Sequence, residues 1–139
     1  MSKNKFIAMA VSMAITLLLP PAAVSRSAKI DVPVMIKSDP DIDACGNGEI
    51  IGLDPKGDGF LSVRSGPGGS PYTEIDRLYN GDQIYICGNK GPWQTIVYMP
   101  ERVLSASCGV SKPWSTDQAY TGPCRAGWVH SRYVKATAG

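Results

Sequence analysis

The sequence predicts an all-β domain: a small barrel of five or six short strands, with a disulfide-closed loop inserted before the closing strand. Three observations carry this expectation. Helical periodicity is missing from residue 26 onward. Runs rich in β-branched and aromatic residues alternate with Gly/Pro turns: Gln83-Ile84-Tyr85-Ile86-Cys87, Trp93-Gln94-Thr95-Ile96-Val97-Tyr98-Met99 and Gly127-Trp128-Val129-His130. The stretch from Phe60 to Tyr72 begins as a half-buried strand, with Leu61 and Val63 alternating against Ser62 and Arg64. It then breaks at Gly66-Pro67-Gly68-Gly69-Ser70-Pro71, where three Gly permit positive φ and two Pro remove backbone donors. A rigid loop that lands on Tyr72 has the character of a binding device.

The first 25 residues read as a secretory signal peptide. Lys3 and Lys5 precede an apolar run from Phe6 to Leu19, and Pro20-Pro21-Ala22-Ala23-Val24-Ser25 supplies small residues for cleavage after Ser25. The run is short for a membrane span, so no stable membrane insertion is expected after cleavage. Of the 139 residues, 139 − 25 = 114 remain, and Lys+Arg falls from 14 to 12, equal to the 12 Asp+Glu. A balanced chain gives no field for nucleic acid, which is excluded as a partner. Periplasmic or secreted localisation follows.

Cys45, Cys87, Cys108 and Cys124 all lie in the exported part, and an even count in a small secreted domain reads as two disulfides. Three pairings are open. Cys108–Cys124, closing a local loop, with Cys45–Cys87 tying the N-terminal side to a core strand, is the preferred one.

Residues 26–48 are polar and contain Asp39-Pro40-Asp41, which reads as a leader or linker; the alternative is a weak edge strand at 30–36, kept at the edge by Pro33. The domain proper is expected at 49–135. Glu49-Ile50-Ile51-Gly52-Leu53 is its first strand. Asp54, Asp58 and Gly59 stand at positions 1, 5 and 6 of a calcium loop, but Lys56 occupies position 3 and Ser65 position 12, so this is a turn. Asp41-Ile42-Asp43 fails in the same way, with Cys45 at position 5. Ile75 and Leu78 mark a short irregular segment, Asn80-Gly81-Asp82 a turn, and 88–92 another. Val134-Lys135 is a short final strand. Residues 100–125, far longer than a hairpin needs, form an insertion carrying Trp114, Tyr120 and two of the cysteines.

Leu61-Ser62-Val63-Arg64-Ser65-Gly66-Pro67-Gly68 resembles the opening motif of bacterial SH3 domains. Asn80-Gly81-Asp82, Gly91-Pro92-Trp93 and Gly127-Trp128-Val129-His130-Ser131-Arg132-Tyr133-Val134 follow in that family's order. The resemblance covers 49–135 less the insertion and implies an SH3-like barrel of five to seven short strands. Family members are exported, often accompany cell-wall hydrolases, and in several cases bind peptidoglycan or peptides. By similarity to eukaryotic SH3 domains, Trp93 matches the Trp that opens a central strand, Tyr133 the aromatic of the closing 3₁₀ turn, and Tyr72 a loop aromatic. His130 stands where that pattern has Pro, and residues 65–71 lack its acids, departures that weigh against Pro-rich ligands.

The candidate ligand-binding residues are therefore Tyr72, Trp93, Trp114, Tyr120 and Tyr133, each also able to serve as core or rim packing. Trp128, between Gly127 and Val129, reads as core, and Arg64 as a side chain that ties down loop carbonyls. Catalysis is not expected. His130 is the only His, the cysteines are paired, and acids such as Glu74 and Asp76 lack a partner constellation. No metal site is expected, since the Cys spacing does not suit zinc, and no cofactor either. The expected function is recognition of an envelope ligand, peptidoglycan or a peptide, through barrel-loop aromatics. The alternative is an interaction or inhibitory subunit that docks a partner protein through 100–125.

Overall fold

The computed structural model describes residues 11–12, 14–21 and 29–137. The basic residues of the expected signal peptide and its cleavage point after Ser25 lie outside them. No helix among the described residues is long and apolar enough to cross a membrane.

The fold is all-β. In chain order its strands are β1 (Met35–Ile36), β2 (Gly46–Ile50), β3 (Leu61–Arg64), β4 (Glu74–Leu78), β5 (Gln83–Lys90), β6 (Trp93–Tyr98), β7 (Gln118–Ala119), β8 (Arg125–His130) and β9 (Val134–Ala136). Two 3₁₀ turns, Ala106–Cys108 and Ser131–Tyr133, complete it. Seven strands form one sheet in the order β4-β3-β8-β6-β5-β2-β9, every neighbouring pair antiparallel. Strands β1 and β7 pair separately. The main core joins Leu61, Val63 and Leu78 from one end of the sheet to Ile50 and Leu53 from the other, around Ile84, Ile96, Tyr98 and Val129. Side chains from opposite ends meet in one cluster only because the sheet curls on itself into a barrel.

The unbroken burial of Thr95-Ile96-Val97-Tyr98 in β6 has a simple cause. Ile96 and Tyr98 face the barrel core, and Val97 faces outward into a second cluster with Val34, Ile36, Cys45, Tyr85, Cys87, Cys108 and Val110. Alternating side chains thus enter two cores, and a strand buried on both faces loses its polar alternation.

That second cluster corrects the reading of 26–48 as leader or linker. From Lys29 onward this segment is built into the domain. Val34 and Ile36 are buried, β1 pairs with β7 of the insertion, the amides of Asp31 and Val32 donate to Ser65 O, and Val32 O accepts the Trp128 indole N–H at 2.9 Å. Trp128 itself is core, as expected.

Element bounds differ locally. Strand β2 begins at Gly46, not Glu49, and the chain leaves the sheet through Gly52 at φ 73; the Leu53 backbone is then held by the Asn80 side-chain amide, whose Oδ1 accepts from the Leu53 N–H and whose Nδ2 donates to Leu53 O. The 74–78 segment is a regular strand, with a register shift against β3 that skips Ile75. Strand β5 runs on to Lys90, so the expected 88–92 turn shrinks to Gly91-Pro92, with Gly91 at φ 57.

Both disulfides are present in the preferred pairing, Cys45–Cys87 and Cys108–Cys124. The first staples the N-terminal segment to β5; the second closes the insertion between β6 and β8. They place the folded chain in an oxidising environment.

Gly127 in β8 is where the barrel wall is tightest. A Cβ there would lie 2.3 Å from Val63 Cγ1 and 3.3 Å from Arg64 O. Gly127→Ala is expected to cost about 1–3 kcal/mol by overpacking, read as a lower urea midpoint at unchanged m-value. An unchanged midpoint would mean that the wall yields.

Candidate functional site

The five candidate aromatics fall into three separate places. Tyr72 is a structural clamp. Its ring lies across Gly66, where a Cβ would come within 2.4 Å of it, and the Arg64 guanidinium holds the same loop through Gly68 O at 2.5 Å and Tyr72 O at 2.6 Å. Arg64 therefore does what its position predicts, and the Gly/Pro loop is fixed from both sides.

Trp93 and Tyr133 meet through His130. Trp93 is the register partner of His130 across β6 and β8, with ring centroids 5.5 Å apart; His130 and Tyr133 centroids are 6.4 Å apart, both pairs edge-to-face. His130 Nδ1 accepts from the Arg132 amide and caps the 3₁₀ turn that carries Tyr133. The Ser131 amide donates to Pro92 O, fastening that turn to the β5–β6 hairpin. All three rings are half-buried at one end of the barrel.

Trp114 and Tyr120 line a groove of about 410 Å³ on the insertion, with Lys112, Gln118 and the wall formed by Cys108. Both rings are pinned by their polar ends. The Trp114 indole N–H donates to Gly109 O at 2.7 Å. The Tyr120 hydroxyl donates to Cys108 O at 2.8 Å and accepts from the Cys124 amide. Burial raises the Tyr120 pKa, against the lowering by the Cys124 amide, so the hydroxyl keeps the proton it donates. Gly122 lets the ring in, since a Cβ there would sit 2.4 Å from Tyr120 Oη.

The N-terminal segment buttresses this groove from behind. Asp39 and Trp114 form an isolated antiparallel bridge. Asp117 accepts from the Ser38 amide and hydroxyl and from Lys37 Nζ, which together pull its pKa down to about 2. Its carboxylate is thereby committed to Lys37 and Ser38.

A polar knot that sequence reasoning missed ties the insertion to the barrel. Asp76 on β4 accepts from Tyr98 Oη at 2.9 Å, Arg102 Nη2 at 3.1 Å and Arg125 Nη1 at 2.9 Å, while Arg102 also reaches Arg77 O and Asp82. Arg102, at the start of the insertion, adopts φ 62 to do so. Burial resists ionisation of Asp76, but the Arg77 amide, the Tyr98 hydroxyl and the two guanidinium groups outweigh it and its pKa is lowered. Burial and the Asp76 carboxylate push the Tyr98 phenol upward. Nothing local in the sequence signals the knot, because its members lie 22, 26 and 49 positions from Asp76.

A carboxylate with a lowered folded pKa contributes stability that is complete above its unfolded value and is lost as pH falls through the folded value. The urea midpoint should therefore drop on acidification below about pH 4. In Asp76→Asn the drop should be shallower, leaving the part due to Asp117 and Glu74. Equal acid profiles for the two proteins would remove Asp76 from the account.

Among the described residues no three His, Cys, Asp or Glu side chains gather to hold a metal ion. The fold and site thus define a disulfide-stapled β-barrel domain with a grooved insertion. Against known protein families, curated proteins and solved structures, the chain has no match.

Proposed function

We propose that this protein is an exported, non-enzymatic binding module of the bacterial SH3 kind that recognises a ligand of the cell envelope, and that its insertion groove is the recognition surface. The observation that carries the reading is the pair of half-buried rings, Trp114 and Tyr120, immobilised by backbone hydrogen bonds around a groove of about 410 Å³. Rigid aromatics in a preformed concavity lose little entropy on binding. The signal-like N-terminus and two disulfides support export. The acids weighed for catalysis support a binder, because Glu74 is engaged by Ser62 and Arg77, and Asp76 by Tyr98 and two arginines.

A second surface, the Trp93–His130–Tyr133 end of the barrel, is favoured by its contiguous rings and is the place the SH3 resemblance designates. Co-sedimentation with purified cell-wall sacculi separates the two. Wild type should pellet, as should Trp93→Ala and Tyr133→Ala, whereas Trp114→Ala and Gly122→Ala, each first shown to be folded, should stay in solution. The reverse pattern moves the function to the barrel end. A wild-type protein that never pellets overturns wall recognition.

A further inference from the structure

We propose, resting on the reading of the insertion groove as the recognition surface, that its ligand is a carboxylate-bearing saccharide, with a sugar ring stacked on Trp114 and the carboxylate paired with Lys112.

The first step comes from the rings. The Trp114 N–H is spent on Gly109 O, and the Tyr120 hydroxyl both donates to Cys108 O and accepts from the Cys124 amide. Neither ring has a polar end to offer, so each presents apolar ring surface alone. Flat apolar surface set beside neutral hydroxyl and amide side chains, here Ser115, Gln118 and Thr121, matches a molecule that is apolar on its ring faces and hydroxylated around its rim. A sugar ring has that character.

The second step comes from charge. Lys112 is the one charged residue lining the groove among the described residues, and its ammonium has no ion-pair partner among them. The nearby Asp117 is turned to Lys37 and Ser38 and does not line the groove. One cation in a groove that no acid lines calls for a single negative charge. A phosphate or pyrophosphate would ordinarily draw an arginine fork or a helix N-terminus, and the groove has neither.

Size and backbone exclude a long peptide. About 410 Å³ lies toward the small end of small-molecule sites, about 300–1,000 Å³, and suits one or two sugar rings. The strand beside the groove, β7, is only two residues long and already paired with β1, so it offers a peptide little edge to extend.

The test is an NMR titration of the oxidised, ¹⁵N-labelled protein, following the Trp114 indole N–H, which Trp114→Phe assigns by its loss. The probes are methyl glucuronide, methyl glucoside, which lacks only the carboxylate, and trialanine. Glucuronide should move the Trp114 signal with a Kd about tenfold below that of glucoside. Lys112→Met, an exposed change, should erase that difference. Equal affinities for the two sugars, or a Trp114 signal that no sugar moves, overturns the proposal. A response to trialanine with both sugars silent also overturns it while leaving the groove as a binding surface. The sacculus experiment judges the underlying reading independently, because its readout needs no knowledge of the ligand.

Discussion

Replacing Cys45 and Cys87 together by alanine is expected to lower stability by about 4 kcal/mol, from the loop-closure entropy of a 42-residue separation. This is the largest single effect anticipated here. The bridge joins the residue just before β2 to the middle of β5, and both cysteines are buried in the second core, so the loss includes packing that alanine does not restore. Urea unfolding of the oxidised wild type beside the double variant measures it. Removing Cys108 and Cys124 should cost less, about 3 kcal/mol for a separation of 16, and should fall mainly on the insertion. A Cys45/Cys87 double variant with wild-type stability would mean that the second core holds the N-terminal segment without a covalent tie.

Ile36→Ala is expected to destabilise the domain by about 3 kcal/mol, within the 2–5 kcal/mol usual for emptying a fully buried aliphatic site. Ile36 has no exposed surface, pairs in register with Gln118, and shares one buried cluster with Val97 and Val110. A residue in a tether would show almost no change. The same variant should weaken the groove, because β1 pairs with β7, which carries Gln118 and leads directly into Tyr120, whose amide donates to Val34 O. Chemical denaturation gives the first effect, and the intensity of the Trp114 indole signal the second. A cost below about 0.5 kcal/mol, the range of ordinary surface changes, would restore the tether reading.

The parts of the fold legible in advance were those governed by local periodicity. Strands β3, β6 and β8 announced themselves through alternation and β-branched residues, Asn80-Gly81-Asp82 through Gly81 at φ 91, and the disulfides through the Cys count. Strand β1 was legible only as the alternative edge strand at 30–36, because it is two residues long, follows Pro33, and exists only through a partner near the other end of the chain. The far end of β5 was hidden because Gly88-Asn89-Lys90 has turn composition and is held in the sheet by β6. At the candidate site, residue type singled out Trp114 and Tyr120 as candidate ligand-binding aromatics of the insertion, and the structure sets both on a groove, but nothing in residue type separated them from Tyr72, which clamps its own loop. Lys112, next to Pro113-Trp114 within the same cystine loop, also lines the groove and was not singled out by residue type.

The pairing of β1 with β7 also dictates an order of events. Val32 and Trp128, 96 positions apart, share a hydrogen bond, and Lys37 meets Asp117 across 80. The segment from Lys29 therefore lacks its strand partner and its indole donor until nearly all of the chain is present. Folding dominated by such distant pairings is slow, and it cannot proceed from the N-terminus forward as each residue emerges. For a chain threaded through a membrane pore, that delay is useful. Under the export proposed above, β1 would find its partner β7 only once the trailing strands had followed it.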